Sequence, residues 1–222
     1  MKLSLTPPLA LPRLDNLDEL KGSNAIIALL DDKGVRSDIN CVNWPASFPY
    51  RPMTSFSAAY TKTGIYVDFL VRCNYLRAEN YENQSPVSQD SCVEFFIDPA
   101  CDGHYWNFEF NCIGTINASH RIERPNPTRL TDDELAQVRR YPSCGIRPFC
   151  ELVGLFTWNL LVFIPFSLIG LDGENLPSKV RGNFYKCASA TSEPHYLSWR
   201  PIQTEKPDFH RPEFFGDITF EK

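Results

Sequence analysis

The chain has 222 residues, 22 Lys and Arg against 27 Asp and Glu, a formal net charge of −5 and 43% apolar residues. That balance suits a folded domain with its own core and excludes a disordered or fibrous chain. A mild negative charge without a run of Lys or Arg argues against nucleic acid and anionic membrane as main partners.

The 16 Phe, 9 Tyr and 4 Trp, with 18 Pro against 11 Gly, point to short strands joined by fixed loops. Residues 1–40 read as an N-terminal arm and first strand packed on one domain formed by residues 41–222. Met1 to Ala10 imitates a signal peptide, but Pro7, Pro8 and Pro12 interrupt it, and Asp15, Asp18 and Glu19 follow. It reads as an extended arm, so the chain is expected to be cytoplasmic or to have lost an export leader. Ile26–Leu30 is a short apolar run and residues 43–52 a proline-punctuated loop. Thr54–Tyr60 reads as a strand. From Ile65 to Arg72, Ile65, Val67, Phe69 and Val71 alternate with Tyr66, Asp68, Leu70 and Arg72, the pattern of a half-buried strand. Residues 74–88 are polar and loop-like.

Residues 91–97 and 107–113 read as two strands of a hairpin, joined through the turn Asp98-Pro99-Ala100-Cys101-Asp102-Gly103. Thr131-Asp132-Asp133-Glu134 is a capping box that opens a single short helix over about residues 132–140. Further strands are predicted at 158–164, 182–188, 196–199 and 217–221. Eight to ten such strands with one short helix predict an all-β fold, an antiparallel β-sandwich of immunoglobulin-like or jelly-roll-like form.

Two features invite other readings. Residues 152–171 carry no charge over the length of a membrane span. Pro165 lies inside this stretch, with Thr157, Asn159 and Ser167 scattered through it, and a buried strand stopped by Pro165 explains the same letters. The eight cysteines are even in number, yet none forms a CxxC pair and Cys92 and Cys112 lie inside strand-like runs. Free buried thiols are favoured over a disulfide framework, and no zinc signature is present. His104, His120, His195 and His210 lack metal-ligand spacing and read as loop or surface residues.

Alternation in the hairpin defines a candidate site. Val93, Phe95 and Ile97 claim one face of the first strand, and Phe108, Phe110 and Cys112 claim the matching face of the second. Glu94 therefore shares the opposite face with Glu109 and Asn111. Facing carboxylates are unfavourable unless a cation or hydrogen-bond donors intervene. They read as a solvated outer face, as the polar floor of a ligand site, or as the acid and base of a glycosidase. No nucleophile elbow, metalloprotease, P-loop or dinucleotide motif points to another enzyme class.

At this hairpin the chain resembles the family 9 carbohydrate-binding modules, a β-sandwich group related to DOMON domains. The resemblance rests on the run from Gln89 to Asp98 and on Phe108-Glu109-Phe110-Asn111. It continues through the strand from Trp158 to Pro165 and the tail Leu197-Ser198-Trp199 with residues 209–216. It covers roughly residues 40–222 and implies binding of a terminal sugar between two tryptophans. A Glu, an Arg and a Gln then hydrogen-bond the hydroxyls, and structural calcium is present. Glu94 falls on the sugar-binding Glu and Phe209 on the second tryptophan. Ser88 stands where the first tryptophan should be, Glu109 replaces the Arg, and Lys186 falls near the Gln. On this resemblance Lys186 could neutralise the Glu94–Glu109 pair, and Trp44, Tyr50, Trp106 or Tyr196 could replace the missing platform. The candidate ligand-binding set is Glu94, Glu109, Asn111, Lys186, Phe209 and His210, with no catalytic residue assigned and the metal ligands left open. The function expected is non-catalytic recognition of a saccharide end. The alternatives are glycoside hydrolysis by Glu94 and Glu109, or a structural or protein-interaction sandwich with a vacant site.

Overall fold

In a computed structural model, residues 7–122 and 125–221 are described, so the first six residues of the signal-like segment lie outside it. The elements run β1 (Leu9–Leu11), α1 (Ser23–Lys33), β2 (Val35–Asp38), β3 (Cys41–Val42), β4 (Met53–Tyr60) and β5 (Gly64–Ala78). There follow β6 (Cys92–Asp98), β7 (Tyr105–Asn111), β8 (Ile116–Arg121), β9 (Thr128–Arg129), α2 (Asp132–Gln137) and β10 (Arg139–Pro142). The chain closes with β11 (Phe149–Pro165), β12 (Val180–Ala188), β13 (His195–Ser198) and β14 (Gly216–Phe220).

These strands form two sheets. The first has the order β1-β14-β12-β6-β7-β8-β9, with β13 joining β12 to β3; the second has the order β10-β11-β5-β4-β2. The fold is a β-sandwich. Among the described residues the named strands pair antiparallel except that β1 runs parallel to β14, with Leu9 opposite Ile218.

Alternation builds the core between the sheets. From β5 come Ile65, Val67, Phe69 and Val71; from the other sheet come Val93, Phe95, Phe108 and Phe184. Phe184 lies stacked between Phe56 and Phe95, at centroid distances of 3.9 and 4.4 Å.

The prediction of a single helix is corrected. Ile26–Leu30 belongs to the 11-residue helix α1, whose buried Ile26 and Leu30 lie four residues apart on one face. That face covers the outer side of the second sheet over Tyr66, Leu161 and Phe163. The tight exit at Gly34 explains its glycine, because a Cβ there would meet the Leu30 carbonyl oxygen at 2.5 Å. The capping box at Thr131 is present as read, but α2 ends at Gln137 and the next residues enter β10. Residues 74–78, read as loop, continue β5. Residues 149–165 form a 17-residue strand, and no helix among the described residues is long and apolar enough to cross a membrane. All eight cysteines are free thiols.

Candidate functional site

The outer face of the first sheet carries the site. Register sets Glu94 directly opposite Glu109, Cys92 opposite Asn111 and Phe96 opposite Asn107. On the other side of β6, Tyr185 of β12 faces Glu94 and Cys187 faces Cys92. Since Val93, Phe95, Phe108 and Phe110 are held in the core, period-two alternation sends these side chains outward together.

Outward does not mean solvated here. The residue 43–50 loop and the tail from residue 200 fold over this face, and Trp44, Ile202, Phe209 and Phe215 pack on Phe96 and Tyr185 as a second small core. Glu94 and Glu109 are only 2% and 6% exposed. A cup of about 200 Å³ remains between sheet and tail, floored by Glu94, Glu109 and Cys187 and walled by Ser88, Tyr196 and Phe209. Pro207, Asp208 and His210 complete its rim. This is below the ~300–1,000 Å³ of sites for drug-sized ligands and matches a single small polar ring better than a long chain. A larger cleft of about 440 Å³ lies on the second sheet between Arg51, Arg72 and Asp38. It gathers no buried acidic or thiol group.

The two carboxyls differ in their surroundings. Glu109 accepts from the side-chain amides of Asn107 and Asn117, each at 3.0 Å. Glu94 Oε1 lies 3.1 Å from Cys187 Sγ and 3.7 Å from Cys92 Sγ. Burial pushes both carboxyls up, Glu94 the further, because Cys187 and Glu109 add negative charge beside it whereas two amides and Arg121 support the ionised Glu109. Cys187 is held below its ordinary range, chiefly by the hydrogen bond from the Cys92 thiol, with burial opposing.

The sequence-predicted residues separate into three groups. Glu94, Glu109, Phe209 and His210 all line the cup. Asn111 shares their face, but its amide nitrogen donates to the Asn80 carbonyl and to Asp90, and its oxygen accepts from the Thr115 N–H, so it ties β7 to a loop. Lys186 does not neutralise the carboxylates. It pairs with Val93, so alternation turns it into the sandwich interior. There its Nζ meets the Cys187 carbonyl at 2.7 Å and His195 Nε2 at 2.9 Å. The reading of His195 as a loop or surface residue is likewise corrected, since it is fully buried in β13. Its Nδ1 lies 2.9 Å from the Glu193 carbonyl and donates to it, which leaves Nε2 to accept from Lys186.

Of the four aromatics weighed as a replacement platform, Tyr196 reaches the cup wall. Trp44 backs it edge-on at 6.4 Å, Tyr50 packs on Tyr75 and His195, and Trp106 stacks on His120. Phe209 is no open plate, since one face stacks on Tyr185 at 4.3 Å. Alternation in 185–187 signals Cys187 as a floor residue, provided Val93 opposite Lys186 is known. That pairing is not written in either strand alone.

The expectation of calcium finds no support in this donor set. Among the described residues, one cluster of three side-chain ligands comes together, Cys92, Glu94 and Cys187. Two sulfurs do not suit a hard cation that takes oxygen ligands.

Ionisation of this floor has a cost that a titration can read. Both glutamates have folded values above the ordinary 4.5. The native state therefore holds protons that the unfolded state has released, and stability is lost as pH rises from about 4.5 through the raised values. Asp68, buried and raised to about 6, acts with the same sign. Lys186 and His195 are lowered and act oppositely, losing stability as pH falls. Glu94→Gln is expected to gain on the parent protein as pH rises, by up to ~1.4 kcal/mol per unit within the window. Urea denaturation between about pH 5 and about pH 8 reads it, and parallel curves would exclude a buried, strained Glu94.

Comparison with known proteins agrees with this architecture. Among curated proteins no sequence match was found. A protein from Bacteroides uniformis inferred to bind carbohydrate is 33% identical, with a TM-score of 0.88 over 96% of this chain and 99% of its own. A family 9 carbohydrate-binding module from Caldicellulosiruptor kristjanssonii, solved with glucose, shares the fold at 12% identity and a TM-score of 0.58, covering 97% of this chain and 96% of its own. Its complex with cellotriose aligns with a TM-score of 0.56 at 11% identity, over 97% and 94%. The sequence profile of Carbohydrate-binding family 9 matches residues 24–220, nearly the whole sandwich with its tail, and the chain belongs to that family.

Proposed function

We propose that the protein is a non-catalytic carbohydrate-binding module that receives the end of a saccharide in the cup over Glu94 and Glu109. The observation that carries this reading is the pair of buried carboxyls held against their own ionisation at the bottom of an aromatic-walled cup. A fold keeps such strain where a ligand repays it. A pyranose presents hydroxyls that suit carboxyl acceptors and a C–H face that suits the Tyr196 ring. The glucose and cellotriose held by the two family 9 module complexes make a glucose-type sugar the first ligand to try.

Hydrolysis is the weaker reading. It needs a second carboxyl free to attack the sugar or activate water. Both Glu109 oxygens already accept from Asn107 and Asn117.

Isothermal titration with glucose and cello-oligosaccharides tests the proposal. Glu94→Gln is expected to weaken binding by about 1–3 kcal/mol, since an ionisable acceptor is lost while shape is kept. Tyr196→Ala is expected to cost about 1 kcal/mol or more of affinity through lost ring contact, with a smaller loss of stability than Phe209→Ala because its ring is only partly buried against the second core. Phe209→Ala is a poorer probe. Its ring belongs to the second core, so stability falls along with any binding. Absence of heat with every saccharide, or release of reducing ends, overturns the module reading.

A further inference from the structure

We propose that Cys92, Cys187 and Glu94 form a binding site for a thiophilic divalent cation of the zinc class, with its open position toward the cup. Each residue offers one ligand atom, and the three atoms lie within 4.8 Å of one another. Glu94 Oε1 is 3.1 Å from Cys187 Sγ and 3.7 Å from Cys92 Sγ. Donors bound to one tetrahedral ion at ~2.0–2.3 Å stand roughly 3.3–3.8 Å apart, and the two Glu94–sulfur distances already lie within or close to that range.

Rigid elements set this geometry. Cys92 and Cys187 are cross-strand partners in the middle of a sheet, and Glu94 is two residues along β6 on the same face. All three are buried, at 0%, 1% and 2% exposure. The sheet's neighbouring cation, Lys186, points to the other face, so no ammonium occupies the place. Glu109, directly opposite Glu94, adds negative charge just outside the three ligands. Glu94 and Cys187 also line the cup, which gives an entry path and leaves the fourth coordination position to water or another oxygen ligand. Two thiols select a borderline or soft ion over calcium or magnesium. On binding, each thiol and the Glu94 carboxyl releases its proton to solvent as the metal–ligand bond forms, so affinity rises with pH.

The site shares Glu94 and Cys187 with the cup proposed to receive the saccharide, but its test uses no sugar, so the two readings fail independently. Reduced full-length protein, stripped with chelator, is titrated with Co²⁺ as a spectroscopic probe. The expected result is a thiolate-to-cobalt charge-transfer band with intense tetrahedral d–d bands, saturating at one Co²⁺ per chain and bleached by Zn²⁺. Cys92→Ser and Cys187→Ser should each abolish the charge-transfer band or weaken it severely. Glu94→Gln should shift the d–d bands and weaken Co²⁺ affinity at least tenfold. The double variant of the exposed Cys101 and Cys150 to Ser should keep the full spectrum. Should a core cysteine variant fail to fold, thiol labelling of the parent protein answers instead: Zn²⁺ should protect two thiols, identified by peptide mapping as Cys92 and Cys187. The proposal is overturned if the parent protein gives no charge-transfer band, if the band survives in both cysteine variants or vanishes with Cys101 and Cys150, or if Zn²⁺ protects neither Cys92 nor Cys187.

Discussion

Phe184→Ala is expected to lower stability by about 3–5 kcal/mol, one of the two largest losses in this protein. Its ring is 1% exposed and joins the two sheets. It stacks on Phe56 from the opposite sheet and on Phe95 from its own, and it meets Trp199 edge-on at 5.8 Å. Truncation removes stacking on both faces and leaves a cavity that two sheets, each pinned by its own hydrogen bonds, cannot collapse. For a domain of this size the loss corresponds to a fall in melting temperature of roughly 6–20 °C. Phe184→Leu should lose much less, because most of the volume is kept. A scanning calorimetry series of the two variants checks the order, and equal melting temperatures for Ala and Leu would exclude a packing origin.

Asp90→Ala is expected to cost a comparable ~3–5 kcal/mol, by a different physical route. Its carboxylate is fully buried just before β6 and accepts four hydrogen bonds. These come from the Glu79 and Asn80 backbone N–H groups at 3.1 and 2.9 Å, from Asn111 at 3.0 Å and from Arg77 at 3.2 Å. The residue welds the exit of β5 to the start of β6 and the end of β7. Truncation removes the acceptor of these part-buried donors and leaves the Arg77 guanidinium with Glu79, itself exposed, as its remaining ion-pair partner. Arg77→Ala tests the attribution. In a double-mutant cycle the two changes should be clearly less than additive, because both break one contact, whereas additivity would assign the loss at Asp90 to the bonds from the Glu79 and Asn80 backbone and from Asn111. Since Asn111 leans on the same carboxylate, Asn111→Ala is expected to lose stability before it loses any ligand.

The hairpin that carries the site was legible because alternation is a strictly local rule. Val93, Phe95, Phe108 and Phe110 are apolar at every second position, so the shared face of Glu94 and Glu109 followed without coordinates, and the register sets them opposite each other. The capping box at Thr131 and the strand stopped by Pro165 were likewise readable, because caps and prolines act within a few residues. What failed was whatever depended on a distant segment. The helix α1 carries its buried Ile26 and Leu30 in a short apolar run whose letters do not distinguish helix from strand, and the waiting surface of Tyr66, Leu161 and Phe163 fixes it. Lys186 looked like a partner for the carboxylates, because a single strand does not say which of its faces is inside. Pairing with Val93 decided that it points away. The burial of Glu94 and Glu109 was equally out of reach, since it depends on a tail far downstream in the chain folding across the sheet. Local pattern therefore determined the sandwich and the common face of the two glutamates. Long-range contact decided their dry surroundings, their raised proton affinity and their company of two thiols, because desolvation and charge proximity depend on what is near in space.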